Sequence, residues 1–74
     1  MKIKIKLFAS LRKGRFDLEN QEYAQGITVG MVIDKLNIPE NKVSIIFVNN
    51  RHADLKYELN HGDVLALFPP VGGG

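Results

Sequence analysis

The N-terminal segment alternates between charged and aliphatic residues with a strict period of two. Its six positions are, in order, Lys2, Ile3, Lys4, Ile5, Lys6 and Leu7. Because successive side chains of a strand point to opposite faces of a sheet, this strand has one apolar and one charged face. The pattern predicts that Ile3, Ile5 and Leu7 point inward. A chain that begins this way must supply a second layer to cover the apolar face.

A helical period occurs farther along the chain and predicts that second layer. The apolar residues that recur at i, i+3, i+4 and i+7 are Val29, Val32, Ile33 and Leu36. Thr28 precedes this stripe and is a favourable N-cap residue. Pro39 predicts that the helix ends at about Asn37.

The remaining segments predict strands and turns on both sides of the helix. Residues 15–24 predict a second strand, which Phe16, Leu18 and Tyr23 attach to the core, and Gly14 suits the turn before it. The later segments begin with a buried strand at 43–48 and a turn at Asn49-Asn50. Residues 51–59 are irregular, with at most short strand pieces at 52–53 and 56–57, and a turn at 60–63 and a final strand at 64–68 follow.

This order of elements predicts an α+β fold of two layers. One helix can cover only one face of the sheet, so the expected architecture is a mixed four- to five-stranded sheet packed on a single helix. The ubiquitin-like β-grasp fold has this arrangement. The order of elements alone leaves ferredoxin-like and other small α+β folds open.

Size and composition limit what the chain can do by itself. A domain of 74 residues has a small core and little room for both a substrate pocket and a catalytic constellation. We therefore expect a protein that is not itself an enzyme. The sequence has no apolar run of membrane-spanning length and no apolar signal-peptide core, which predicts a cytoplasmic protein without a membrane partner.

The charged and metal-ligating residues exclude several further classes of function. The chain has no cysteine, so it forms no disulfide, thiolate metal site or thiol nucleophile of its own. His52 and His61 lie in predicted turns, and we expect surface histidines and no metal site. Six of the ten basic residues fall in the first fifteen positions. Without interleaved aromatic residues or a recognisable motif, they do not predict nucleic-acid binding; an acidic protein partner is an alternative.

The last seven residues have the most unusual composition of the chain: Phe68, Pro69, Pro70, Val71, Gly72, Gly73 and Gly74. The proline pair restricts the backbone, whereas glycine lacks a Cβ and can pass through a narrow channel. We therefore divide the chain into a folded domain at 1–68 and a flexible tail at 69–74. A stiff base with a slender tip is suited to insertion into the active site of another protein.

Three segments resemble the sulfur-carrier proteins of the ubiquitin-like superfamily. The residues concerned are Gly62-Asp63-Val64-Leu65-Ala66-Leu67-Phe68-Pro69-Pro70-Val71-Gly72-Gly73, Leu7-Phe8-Ala9-Ser10-Leu11-Arg12 and Val48-Asn49-Asn50. They are similar to segments of the molybdopterin synthase small subunit (MoaD) and thiamin sulfur-carrier (ThiS) families, and the Phe-Pro-Pro-Val form is typical of the molybdopterin branch. The chain differs in its shorter length, in Asn50 instead of glycine, and in its third glycine, Gly74.

The resemblance implies a function and a set of partners. An E1-like enzyme would use ATP to adenylate the carboxylate of Gly74, and a sulfur-donor protein would convert the adenylate into a thiocarboxylate. The sulfur would then pass to a large synthase subunit or to a thiazole synthase. The residues expected to contact these partners are Phe68, Pro69, Pro70, Val71, Gly72 and Gly73. The carrier would bind no cofactor and would be a monomer when free.

Alternatives remain open at this point. The sulfur could serve molybdopterin synthesis, thiamin thiazole synthesis or another thiocarboxylate-dependent pathway. The activated glycine could instead be joined to lysines of target proteins, because conjugation and sulfur transfer begin from the same acyl-adenylate. A non-covalent binding module with a disordered tail leaves the Pro-Pro-Val-Gly-Gly ending unexplained. Within the folded part, Phe68 fits either the core or a partner-facing patch, and Leu7, Phe8 and Leu11 are expected in the core.

Overall fold

The computed structural model describes residues 1–70, which form a mixed five-stranded sheet packed on one α-helix. The elements are β1 (Lys2–Leu7), β2 (Leu18–Glu22), α1 (Val29–Lys35), β3 (Ile45–Val48), β4 (Arg51–His52) and β5 (Val64–Phe68). The strand order is β2-β1-β5-β3-β4. β1 and β5 are parallel, and the other neighbouring strands are antiparallel. The ubiquitin-like β-grasp prediction is confirmed.

The core lies between the sheet and α1, as the two sequence periods predicted. Ile3, Ile5 and Leu7 are fully buried, and the lysines between them are exposed. They meet Val29, Val32 and Ile33 from α1 and Leu65 and Leu67 from β5. Burial of each such side chain stabilises the fold by roughly 1.5–3 kcal/mol.

Helix α1 begins at the predicted cap and ends two residues before the predicted end. The amide N–H of Met31 donates to Thr28 Oγ1 at 3.2 Å, and the last helical residue is Lys35. Asn37 adopts a left-handed conformation, with φ of 58°, so the helix has already ended before Pro39. None of the helices in the part of the chain described here is long and apolar enough to cross a bilayer.

Gly30 allows the first turn of α1 to approach the loop that follows β4. Its amide N–H donates to the carbonyl oxygen of Leu55 at 2.9 Å. A Cβ at this position would lie 3.2 Å from the same oxygen, a distance tighter than nearly all real contacts of this kind. The glycine, which lowers intrinsic helix propensity, therefore allows a close contact between two elements.

Two predicted strands form, but their starts and their burial differ from the prediction. Strand β2 begins only at residue 18, and Leu18 is 54% exposed. It pairs with Lys6 and so lies on the face of the sheet away from α1. Strand β3 begins at residue 45, two residues later than predicted, and only Val48 is buried in it. Both errors have one cause, because a single helix covers one face of the sheet and leaves the other, here called the open face, without a second layer.

A buried carboxylate joins two turns at the end of the sheet where β5 begins. Asp63, 7% exposed, accepts from Asn49 Nδ2 at 2.9 Å and from the amide of Asn60 at 2.8 Å. Asn49 Oδ1 in turn accepts from the amide of Val64 at 2.9 Å. Asn49 and Asn50 have φ of 53° and 67°, the left-handed pair that a tight hairpin requires. The predicted turns are confirmed, and Asp63 connects them.

Replacing Asp63 with alanine is expected to destabilise the fold by about 1–3 kcal/mol. The substitution leaves the Asn49 amide and the Asn60 N–H without their acceptor in a partly buried site. Urea unfolding of Asp63→Ala measures the loss, with Asp34→Ala as the control because Asp34 is an exposed carboxylate on α1. Equal midpoints for the two variants would show that the carboxylate does not hold the turns together.

Candidate functional site at the root of the tail

The tail leaves the domain from the middle strand of the sheet. Phe68 is the last residue of β5, and its carbonyl oxygen accepts from the amide of Ser44 at 2.8 Å. On the other side, the amide of Phe8 donates to the carbonyl oxygen of Leu67 at 3.2 Å. Neighbouring chain therefore fixes the end of β5 from both sides. Pro69 and Pro70 follow β5 outside any strand and are half-buried.

Three phenylalanines pack together beside this point and form the aromatic cluster. Phe8 stacks on Phe68, with ring centroids 4.2 Å apart and planes 8° from parallel. Phe47 meets Phe68 edge to face, at 5.7 Å and 89°. All three side chains are half-buried, so the cluster is ordered by its own contacts while part of each ring stays accessible.

The strand register explains why the cluster lies on the open face. Residues paired across a sheet share a face, and Phe47 pairs with Ala66 while Phe68 pairs with Ile45. Leu65 and Leu67, the alternate residues of β5, are fully buried towards α1. Phe68 and Phe47 therefore point away from the helix.

Cationic and polar side chains surround the aromatic cluster. The guanidinium carbon of Arg12 lies 5.5 Å from the centroid of the Phe8 ring. Arg12 Nε donates to the carbonyl oxygen of Leu7 at 2.8 Å and lies 3.5 Å from an Asp17 carboxylate oxygen. On the opposite side, His52 packs on Phe47 at 4.6 Å. An apolar centre with a charged rim is the usual composition of a protein-binding surface.

Of the predicted site residues, Phe68, Pro69 and Pro70 lie at the tail root. The sequence left Phe68 either in the core or on the surface, and the structure places it on the open face. Leu7 and Leu11 are buried as predicted, but Phe8 is only half-buried, in the aromatic cluster, so the prediction that it belongs to the core is wrong. Four predicted site residues, Val71, Gly72, Gly73 and Gly74, lie outside the described residues.

Sequence reasoning missed Phe47 and Arg12 as members of this site. A usable signal existed for Phe47. It belongs to a run that is apolar on both faces, from Ile45 to Val48, and a fold with one helix leaves one of those faces uncovered. Arg12 belongs to a segment that resembles the carrier families, but only its packing on the Phe8 ring identifies it as part of this site.

Residues 1–70 contain no group of three or more histidine, aspartate or glutamate side chains able to hold a metal ion. His61 is exposed, and its Nδ1 accepts from the amide of Lys2 at 3.0 Å; His52, also exposed, packs on the aromatic cluster. The carboxylate of Asp63 is engaged by the two turns.

Comparison with known proteins identifies the family. The sequence model of the ThiS family matches residues 5–74. The chain belongs to the ThiS family. The match includes the root of the tail and the glycines that follow it, so this ThiS-family chain is a ubiquitin-like protein of the sulfur-carrier or modifier type. No protein of curated function gives a significant match to its sequence.

Solved structures with the same fold cover essentially the whole ThiS-family chain. One described as molybdopterin converting factor subunit 1 from Pyrococcus furiosus is 32% identical, with a TM-score of 0.77, and the alignment covers 96% of this chain and 99% of that one. Small archaeal modifier protein 1 of H. volcanii is 26% identical, with a TM-score of 0.77 and coverage of 95% and 98%. Subunit 1 in a complex of subunits 1 and 2 of the Helicobacter pylori molybdopterin-converting factor shares the fold, at 22% identity, a TM-score of 0.68 and full coverage of both chains.

Proposed function

We propose that this protein is a sulfur carrier whose C-terminal glycine is activated by a partner enzyme, and that its sulfur is used to make molybdopterin. The observation that carries the proposal is the position of the tail. It follows the last residue of the middle strand, that residue belongs to the half-buried aromatic cluster, and the ThiS match extends over the tail to residue 74. The 32% identity to a molybdopterin converting factor subunit supports the molybdopterin pathway.

The proposed chemistry begins with the Gly74 carboxylate as a nucleophile. One of its oxygens attacks the α-phosphorus of ATP held by the activating enzyme, pyrophosphate leaves, and an acyl-adenylate forms. A persulfide sulfur of the donor protein then attacks the carbonyl carbon and AMP leaves. A thiol of the donor reduces the resulting S–S bond and releases the thiocarboxylate. The carrier has no cysteine, so every thiol in this sequence belongs to a partner.

Each part of the tail has a proposed role in this sequence. Gly72 and Gly73 pass through the narrow entrance of the nucleotide site, where a Cβ would collide. Pro69 and Pro70 hold the tail away from the domain, and Val71 continues this spacer. Phe68 anchors it to the aromatic cluster. The carrier binds no cofactor itself, since the partner consumes the ATP.

The proposed partners are an E1-like activating enzyme, a sulfur-donor protein and a large synthase subunit. The assembly of subunits 1 and 2 in the H. pylori factor supports the third of these. The exposed aromatic cluster supplies a surface for such docking, and a free monomer keeps that surface available. We place the protein in the cytoplasm, where ATP for activation is present, and thiazole synthesis remains the alternative destination of the sulfur.

Protein modification is a second candidate function. It is favoured by the similarity to small archaeal modifier protein 1, at 26% identity over nearly the whole chain. A lysine amine of a target protein would attack the activated Gly74 carbonyl and form an isopeptide bond. The two functions share the activation step and differ only in the nucleophile that follows.

Intact-mass measurement of the protein isolated from its native host is expected to show replacement of one oxygen by sulfur at the C-terminus. The exchange should disappear when the gene of the activating enzyme is deleted, because an unactivated carboxylate does not accept sulfur. Isopeptide-linked adducts with unmodified free carrier would instead establish the modifier function. A tail that is neither sulfurated nor conjugated would contradict both proposals.

A further inference from the structure

We propose that a basic concavity on the helix side of the tail root binds an acidic segment of the enzyme that activates the tail. This inference rests on the proposed function and specifies where the activating enzyme binds the domain. The concavity has a volume of about 290 Å³. Lys13, Arg15 and Lys42 surround it together with Ser10, and its floor includes Leu11 and Ile38.

The concavity lies at the same end of the sheet as the tail. One wall follows β1 through a short turn at Ala9–Arg12, and another contains Lys42 just before β3. Strand β5 ends between β1 and β3. Leu11 and Ile38 are core residues, each 3% exposed, so the concavity opens on the helix side while the aromatic cluster occupies the open face. The two surfaces flank the tail root from opposite faces.

The charged side chains that line the concavity are all cations. Lys13 and Lys42 are exposed, and no carboxylate lines the space with them. Asp17, a carboxylate close in sequence to Lys13, lies beside Arg12 instead. Glu40 shares the turn of Lys42 but does not line the concavity. The potential inside is therefore positive and favours an anionic ligand.

Arg15 contributes a charge whose position is fixed. Its Nη2 donates to the carbonyl oxygen of Asn37 at 3.1 Å, and its Nη1 donates to that of Leu11 at 3.3 Å. These bonds tie the segment after β1 to the chain that leaves α1. A cation held in this way needs little reordering when a carboxylate arrives, which lowers the entropic cost of binding.

The shape and surroundings favour an acidic peptide segment over a nucleic acid. No aromatic side chain lines the concavity, so nucleobases would have nothing to stack on. 

The apolar floor and cationic rim suit a short segment in which an acidic side chain follows an apolar one. A partner that held only the aromatic cluster would leave the domain free to tilt about that contact. A second contact across the tail root fixes the direction in which the tail enters the partner's site.

Reversing the charges of the two exposed lysines of the concavity is expected to raise KM for activation at least about tenfold. The variant is Lys13→Glu with Lys42→Glu, and its matched control is Lys35→Glu with Lys56→Glu, two exposed lysines that do not line the concavity. Each reversal removes two units of charge, so both variants change the formal net charge from +2 to −2. The measurement is KM for the carrier in ATP–pyrophosphate exchange by the cognate activating enzyme.

The expected result is a KM at least about tenfold higher for the concavity variant and changed less than about threefold for the control. The difference should shrink as salt is added, because screening weakens the ion pairs. An unchanged KM for the concavity variant, with the wild type fully active, would overturn this inference and leave the proposed function standing. Urea unfolding of both variants verifies that the fold is retained.

A second measurement does not depend on the activating enzyme. A short glutamate-rich peptide is titrated into the isotopically labelled full-length protein and followed by NMR, with a glutamine-rich peptide of equal length as the control. Shifts confined to the amides of Ser10, Lys13 and Lys42 with the glutamate peptide alone support the inference. No shifts there, or equal shifts with a single-stranded oligonucleotide, would overturn it. If the wild type is not adenylated at all, the proposed function fails and with it the assignment of the partner, and the titration then decides only whether the concavity binds an acidic peptide.

Discussion

Replacing Gly73 with tryptophan is expected to abolish formation of the acyl-adenylate while leaving the fold intact. The proposed mechanism requires the backbone to pass through a narrow entrance before the Gly74 carboxylate meets the α-phosphorus of ATP. A bulky side chain at that point displaces the carboxylate, and a misplacement of about 1 Å alone can cost a reaction on the order of a hundredfold. We expect a loss of at least that size in kcat/KM for ATP–pyrophosphate exchange.

The matched control for this variant is Lys35→Trp, which places the same side chain on the exposed last turn of α1. It should be activated normally, and both variants should unfold at the wild-type urea concentration. One alanine added after Gly74 should be as inactive as the tryptophan variant, because the reactive carboxylate is moved along the entrance. Normal exchange by either tail variant would contradict the threading mechanism.

The same assay determines which glycine is activated. A chain that lacks Gly74 ends at Gly73, the second of the two glycines in the segment that resembles the carrier families. We expect the full-length chain to be active. If the shortened chain is active and the full-length chain is not, the reactive carboxylate is that of Gly73, and Gly74 must first be removed.

Replacing Phe68 with alanine is expected to raise KM for the activating enzyme by about 30- to 1000-fold. Phe68 contacts both other rings of the aromatic cluster, and it is the last residue of β5. Central aromatic residues of this kind contribute about 2–4 kcal/mol to binding when they act as hot spots. Loss of the ring also removes the support of Phe8 and Phe47, so the effect should exceed that of any rim residue.

Leu18→Ala is the control for the aromatic cluster. Leu18 is an exposed apolar residue on the same open face, but it lies on the edge strand β2. We expect the KM of the activating enzyme for the Leu18→Ala variant to differ from wild type by less than about threefold. Because Phe68→Ala also removes contacts within the domain, Phe8→Ala is measured beside it and both are checked by urea unfolding. A folded Phe68→Ala protein with wild-type KM would show that the aromatic cluster is not the docking surface.

Periodic segments were predictable from the sequence because a single physical pattern determined each of them. The alternation from Lys2 to Leu7 allowed only one orientation of β1, with the aliphatic residues buried and the lysines exposed, and β1 adopts it. The stripe beginning at Val29, with Thr28 before it, determined the start and the buried face of α1. In these elements local periodicity and the needs of the core agree.

The errors arose where both faces of a segment are apolar or where a site is assembled from distant segments. The run from Ile45 to Val48 has no period that says which face is covered, so the exposure of Phe47 was missed. The basic concavity combines Lys13 and Arg15 with Lys42, residues that only the folded chain brings together. β5 ends at Phe68, and the four residues that follow Pro70 lie beyond the described part of the chain.

The central position of β5 has a mechanical consequence. β5 is bonded to β1 on one side and to β3 on the other, and the tail follows its last residue, Phe68. A force directed along β5 loads both hydrogen-bond ladders in shear, so their bonds resist together. An edge strand peeled from one end would lose its bonds in succession. A pull that reaches the end of β5 is therefore shared by both neighbouring strands.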